Sequence, residues 1–311
     1  MNPQSDAMLE SRMEAQAAPA ANISQVQRLY WSIRRELWES RSIYIAPLAA
    51  AGVFLLGFLL SLGPRMQRVG AAGALDEIHR RDAIAAPYDG VAGLLMLTMM
   101  IVGTFYCLDS LHGERRDRSI LFWKSLPVSD FTTVLAKVCI PLLVLPVLTF
   151  AITVATQFVM LMASSAALAA KGGNVAGLWS ELAFSRMSVL LFYHLATVHT
   201  LWAAPVYSWF FLVSAWARRA PFIWAFVPPV ALCYLEKIAF GTSHFATWLV
   251  SRALAGNGME AVTSPGSMPM DPITHVTPGR FLASPGFLLG LVCAVLLLAA
   301  TVRIRRYREP N

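Results

Sequence analysis

Six long apolar stretches constrain this chain more than any other feature of its sequence. A helix that crosses a bilayer needs about 20 consecutive apolar residues, and such stretches recur along most of the chain. We predict membrane spans at approximately 43–63, 90–109, 133–166, 187–216, 220–240 and 283–303. Hydrophobic residues make up 57% of the chain and charged residues only 14%, whereas soluble proteins average about 45–50% and 25%. The sequence therefore predicts an all-α, multi-pass integral membrane protein and excludes a soluble enzyme.

The distribution of basic residues predicts how the chain is oriented. Lys and Arg concentrate in the cytoplasmic loops of membrane proteins. With the N-terminus inside, most of the 25 Lys and Arg residues fall in inner segments. Both termini are therefore predicted to be cytoplasmic. The net charge of +7 follows from this topology, so we expect no nucleic-acid partner.

The N-terminal region divides into two parts. Residues 1–22 are rich in Ala, Gln and Ser and are predicted to be a disordered tail, while residues 23–308 form a single transmembrane domain and residues 309–311 a short tail. From Ser24 onwards, apolar residues recur at helical spacing and basic residues fill the opposite face. Such a basic amphipathic helix, leading directly into the first span, is typical of the membrane interface. The alternative is a plain juxtamembrane helix.

The segment 241–280 does not fit a simple external loop. It begins with aromatic and apolar residues and then becomes rich in Gly, Pro, Ser and Met. A partly re-entrant segment and an interfacial helix are both compatible with this pattern. The charged pair Glu236 and Lys237 precedes it. The pair either marks the outer end of a short fifth span or provides a polar step in a translocation route.

Few residues suggest bond-making chemistry. The chain has no GxxxxGK[ST] phosphate loop, HExxH or GxSxG motif, so we predict no catalytic, metal or cofactor site in it. His194 and His199 lie about 140° apart on an α-helix and are expected to serve packing or a polar cavity wall. Met96 shares a helix face with two other methionines, which fits packing or an adaptable substrate wall. Gly286 and Gly290 have the GxxxG spacing of close helix contacts, either within the chain or at a dimer seam.

The loop after the second span carries the most informative pattern. Glu114 and Arg118 have the i, i+4 spacing of a helical ion pair. The aromatic pair Phe122 and Trp123 follows, and Pro127 is expected to end the helix. An aromatic pair beside so many charges predicts a docking surface for a protein partner. The alternative is that the aromatic side chains anchor in the lipid headgroup layer.

At this loop the chain resembles the membrane subunits of type-2 ATP-binding-cassette (ABC) exporters. The shared pattern is Glu114-Arg115 followed by Leu126-Pro127-Val128-Ser129, placed between the second and third spans. The resemblance implies six spans with both ends inside, an N-terminal interfacial elbow helix, and a cytoplasmic coupling helix between spans two and three. It also implies a partly re-entrant region before the last span.

The resemblance implies roles for particular residues. Those expected to couple to a separate ATPase are Glu114, Arg115, Arg116, Arg118, Phe122, Trp123, Leu126 and Pro127. Those expected in the elbow helix are Arg28, Ile33, Arg34, Arg35 and Trp38. Candidate residues of the substrate pathway, which are polar or polarisable and lie in or beside spans, are Met96, Tyr193, His194, Tyr207 and Glu236.

The expected function is that of a non-catalytic permease subunit of an ABC exporter. Two copies of this chain, or this chain and a related permease, would pair with two cytoplasmic ATPase subunits, which would bind ATP and Mg²⁺. We expect a bacterial inner membrane, with lipids as further contacts. The alternatives are a secondary transporter and a membrane-embedded enzyme or maturation subunit with His194, His199 and Glu236 as its polar set; both would act without an ABC ATPase.

Overall fold

The described part of the chain is helical apart from one short β-pair. The computed structural model describes residues 24–64, 77–117, 129–253, 262–263 and 275–307. The helices are α1 (Gln25–Glu39), α2 (Ser42–Leu60), α3 (Glu77–Arg116), α4 (Asp130–Cys139), α5 (Leu145–Ala170), α6 (Val175–Leu182), α7 (Phe184–His194), α8 (Ala204–Trp216), α9 (Pro221–Phe240), α10 (His244–Ala253), α11 (Pro278–Ala283) and α12 (Pro285–Tyr307). Strands β1 (Val262–Thr263) and β2 (His275–Val276) pair antiparallel.

Within the part of the chain that the structure describes, six helical segments are long and apolar enough to cross a membrane, which confirms the prediction of a multi-pass helical membrane protein. They are Ser42–Leu60, Ala83–Arg116, Asp130–Ala170, Val175–Trp202, Pro221–Phe240 and Pro285–Tyr307. The second begins earlier than predicted and runs past Asp109, because α3 continues without interruption to Arg116. Polar residues therefore extend this helix beyond its apolar part.

Two spans contain π-helical segments. Residues Ile140–Val144 join α4 to α5, and the N–H of Leu145 bonds to the carbonyl of Ile140, five residues earlier. Pro141 lies in this segment and has no N–H to donate, which accounts for the local change of hydrogen bonding. A second π-helical segment, Leu195–Trp202, joins α7 to Ala203 and α8. The predicted fourth span, 187–216, lies too far along the chain, because the segment that is long and apolar enough to cross is Val175–Trp202, and α8 follows it after Ala203.

Helices α3 and α8 form the centre of the bundle. Helix α8 packs against α3 and α12, while α3 also packs against α2 and α5. Fully buried side chains such as Leu95, Met99 and Phe211 lie at these contacts. Helix α9 is different, because only 6% of the residues in its most apolar stretch are buried within the chain. Its large outward surface is left for lipid or another protein chain.

Candidate functional site

Four buried charged side chains meet at one end of the bundle, and each comes from a different helix. They are Glu36 of α1, Glu114 of α3, Lys137 of α4 and Arg305 of α12, and none is more than 7% exposed. We call these four residues the charged cluster. Buried charges are costly unless they are paired, so their geometry is informative.

The ion pairs of the charged cluster form a continuous chain. Lys137 Nζ lies 2.9 and 3.0 Å from the two carboxylate oxygens of Glu36 and 3.1 Å from Oε1 of Glu114. Arg305 Nη1 donates to Oε2 of Glu114 at 2.6 Å, and its Nε donates to Oδ1 of Asp130 at 3.1 Å. The helix ends are therefore tied together by charge-assisted hydrogen bonds, the strongest kind that side chains make.

Two further side chains complete the surroundings of Glu36. The hydroxyl of Tyr106 donates to Oε2 at 2.9 Å, and Nη2 of Arg35 donates to Oε1 at 2.6 Å. Burial by itself raises the pKa of Glu36, but the ammonium of Lys137 and the guanidinium of Arg35 more than offset it, so its pKa is lowered. Glu36 therefore stays ionised, as the salt bridges require.

Local sequence signals position two of these helices. Ser24 caps α1 in a reciprocal capping box with Gln27, and the amphipathic pattern then carries the helix to Glu39. Ser129 caps α4 by accepting from the N–H of Thr132, with Asp130 in the favourable first turn. Both caps fix helix starts, and the register that follows directs Glu36 and Lys137 to the same point.

Some of the predicted elbow residues pack against the bundle, and others face away from it. Ile33 packs on the hydrophobic core, and Arg35 joins the charged cluster. Arg34 stacks on the rings of Trp31 and Trp38, at 5.1 and 5.2 Å from their centroids, while Trp38 is 71% exposed. The face of α1 that carries the two tryptophans thus points away from the bundle. Arg28 lies in the first turn of the same helix.

The structure describes three of the eight predicted coupling residues. Glu114, Arg115 and Arg116 form the last turn of α3 instead of starting a separate helix. Glu114 is buried, Arg115 donates to the carbonyls of Ser214 and Ala217 at the end of α8, and Arg116 is exposed. Arg118, Phe122, Trp123, Leu126 and Pro127 lie outside the described residues. The side chain of Glu114 is therefore internal and that of Arg115 is half-buried, and their part in coupling stays a prediction.

The predicted separation of His194 and His199 is wrong. Both side chains are buried, and their ring centroids lie 5.1 Å apart. The estimate of 140° assumed α-helical geometry, but Leu195–Trp202 is π-helical, and hydrogen bonds that span five residues bring residues i and i+5 close together. Among the residues that the structure describes, no three His, Cys, Asp or Glu side chains are grouped so that they could hold a metal ion.

The remaining pathway candidates do not converge. Met96 lies in the hydrophobic core, and Tyr193 packs beside Trp202 in a smaller apolar cluster. Tyr207 lines a cavity next to α3. Glu236 instead caps α10, where its carboxylate accepts from the backbone N–H groups of His244 and Phe245 at 2.7 and 2.9 Å.

Sequence reasoning missed Arg252, which is only 1% exposed. Its Nη1 donates to the carbonyl of Trp202 at 2.9 Å, its Nη2 donates to the carbonyl of Gly286, and its Cζ lies 3.7 Å from the ring centroid of Trp202. A Cβ on Gly290 would clash with Nη1. The GxxxG motif thus makes room for an arginine within the same chain, and the motif itself was the sequence signal of a close contact.

Comparisons of the chain with protein-family models, with curated proteins and with solved structures gave no match.

Proposed function

We propose that this chain is the transmembrane permease subunit of an ATP-driven ABC exporter and couples to a separate cytoplasmic ATPase. The observation that carries the proposal is the charged cluster. Glu114 lies just before the connection between the second and third spans, and Asp130 lies just after it. Both contact Arg305 at the end of the last span. A partner that moves this connection would act on α1, α4 and α12 together.

The proposed mechanism is alternating access driven by ATP hydrolysis in the partner. Closure of two ATPase subunits on ATP and Mg²⁺ would draw the two connections together, and the spans would rearrange around them. This chain would catalyse no covalent reaction. It would contribute different affinities for cargo in its two conformations, which is how a ligand is linked to a conformational change.

Two features support the proposed assembly and location. The outward face of α9 is apolar, with Ile223, Val227 and Ile238 among its most exposed side chains, which suits packing against a second permease copy in the bilayer. With the charged cluster on the cytoplasmic side, the basic residues follow the positive-inside rule. A bacterial inner membrane, an interfacial α1 and a partly re-entrant region before the last span, within 241–280, belong to this proposal.

The first test is copurification from the native host. Tagged chain is extracted in mild detergent, and the proteins that purify with it are identified and quantified. We expect an ABC ATPase in similar abundance. We expect it to be lost when Phe122 and Trp123 are both changed to Ser, and to be retained when the exposed aromatics Phe158 and Phe192 of α5 and α7 are changed in the same way.

The opposite result would favour the alternatives. If the chain purifies without an ATPase, while a known ABC complex survives the same detergent, a secondary transporter or a membrane-embedded enzyme becomes the better interpretation. If the ATPase purifies equally well with both double variants, the partner docks elsewhere and the coupling assignment of the aromatic pair is wrong.

A further inference from the structure

Two adjoining spaces lie between α8, α9 and α10, at a distance from the charged cluster. The smaller, which we call the chamber, measures about 170 Å³, and the larger, which we call the groove, about 340 Å³. They share the lining residues Val206, Phe210, Phe226 and Ala253, so they lie side by side. Gly290 of α12 lies beside the chamber and is separated from Arg305 by about 22 Å of helix.

The chamber carries a positive charge that is held in place. Arg252 lines it, and an arginine side chain stays protonated at any physiological pH. The carbonyl of Trp202 and the ring of the same residue hold the guanidinium, and Gly290 leaves the space that it needs. Because the group is fixed before any ligand arrives, little ordering is required when an anion binds to it.

A second polar group in the chamber lacks a partner. His199 also lines the chamber and is 7% exposed. Its Nδ1 is buried and makes no hydrogen bond of normal geometry within the part of the chain that the structure describes. Native proteins rarely leave a buried polar atom unsatisfied. A neutral imidazole protonated on Nδ1 can donate to an acceptor placed in the chamber, and Thr104 and Tyr207 add hydroxyl groups to the same wall.

The groove has the opposite character. Aromatic, proline and aliphatic side chains of four helices line it, among them Trp209, Pro228, Trp248 and Leu297. Taken together, the two spaces fall in the lower half of the range of about 300–1,000 Å³ found for small-molecule sites. That size favours one alkyl chain over the two chains of a phospholipid.

We propose that the chamber and the groove bind a single-chain amphiphile with an anionic head group. The head group lies against Arg252 and His199, and the alkyl chain lies in the groove. The site itself follows from the geometry, whereas its role as the substrate site rests on the proposed function. Recognition is by charge at one end and by apolar area at the other, so neither an alkyl cation nor a short polar anion satisfies it.

The test is equilibrium binding of radiolabelled tetradecanoate to the purified full-length chain in phosphatidylcholine nanodiscs. We expect saturable binding that unlabelled tetradecanoate displaces, and that tetradecyltrimethylammonium and acetate do not. Arg252→Gln keeps hydrogen-bond donors but removes the charge, and it should weaken binding by about tenfold or more, because the anion exchanges a charge-assisted hydrogen bond for a neutral one. Arg280→Gln is the matched control, since Arg280 is exposed, and it should bind as the unmodified chain does.

A second variant covers the case in which Arg252→Gln fails to fold. Leu297→Trp places a larger ring at a position that lines the groove and not the chamber, and in protein that elutes as a single species it should abolish saturable binding. His199→Phe should weaken binding in the same direction as Arg252→Gln. The proposal is overturned if the folded chain shows no saturable binding of tetradecanoate, if the alkyl cation competes equally, or if two-chain phosphatidic acid alone binds.

The outcome of the tetradecanoate-binding experiment is independent of the outcome of the copurification test. Saturable tetradecanoate binding without a copurifying ATPase would sustain the site and reject the exporter. An ATPase that copurifies with a chain that binds no tetradecanoate would sustain the exporter and reject the site.

Discussion

Replacing Lys137 by Met removes a buried cation that contacts two carboxylates. Its ammonium lies within 3.1 Å of oxygens of both Glu36 and Glu114, and the side chain is 2% exposed. Methionine has a similar length and an apolar end, so the variant removes the charge with little change in volume. What remains is a pair of buried carboxylates that have lost a shared counter-ion.

The remaining contacts set the size of the effect. Removing one partner of a buried ion pair costs about 3–5 kcal/mol. Glu36 keeps Arg35 and Tyr106, and Glu114 keeps Arg305, each at 2.9 Å or less. Because these partners remain, we expect the free energy of unfolding to fall by the lower end of that range, about 3 kcal/mol. At about 2–4 °C for each kcal/mol in a chain of several hundred residues, the melting temperature should fall by about 6–12 °C.

The assay is thermal unfolding of the purified full-length chain in detergent, followed by the fraction that still elutes as a single species. Lys237→Met is the matched control, because Lys237 is exposed and its replacement should change the melting temperature little. The double variant Glu36→Gln, Lys137→Met should lower the melting temperature by less than the sum of the two single variants, because the two side chains interact. Equal melting temperatures for Lys137→Met and Lys237→Met would refute a stabilising role for the charged cluster.

Three other outcomes are expected. Gly290→Ala should displace the guanidinium of Arg252 and lower stability by about 1–3 kcal/mol, whereas Gly57→Ala, with nothing within 4 Å of its Cβ, should be neutral or slightly stabilising in a melting experiment. The pKa of Glu36 is lowered from its ordinary value of 4.5, so its contribution is present above pH 4.5 and is lost as the pH falls through the lowered pKa; the melting temperature of Glu36→Gln should depend less on pH in that window. Glu236→Gln weakens the cap of α10, so hydrogen exchange at the first amides of that helix should become faster, and an unchanged rate would argue against the cap.

The spans could be predicted from the sequence because each is defined locally. An uninterrupted apolar stretch such as that of α2 has one stable arrangement in a bilayer, since a helix satisfies its own backbone groups. The start of α1 at Ser24 was also predictable from the helical spacing that begins there, and the caps at Ser24 and Ser129 depend only on residues three positions away. The exact ends were not, since α3 continues through the charged residues up to Arg116.

The candidate site could not be predicted because its members are distant in sequence. Glu36 and Lys137 are 101 residues apart, and Glu114 and Arg305 are 191 apart. Each looks like an ordinary charge at the end of a span. The close approach of His194 and His199 was not predicted for a different reason. The π-helical segment that brings the two rings together has no marker in the local composition.

The charged cluster can be completed only late in biosynthesis, after its last member has been translated. Glu114 reaches the membrane with the second span, but Arg305 is translated 191 residues later. At roughly 5–20 residues per second, the ribosome needs about 10–40 s for that interval. During this time the carboxylate of Glu114 has not yet met the guanidinium of Arg305, so the nascent bundle stays open at one end until the sixth span, α12, enters. A chain truncated before Arg305 should therefore be recognised by membrane quality control as incomplete.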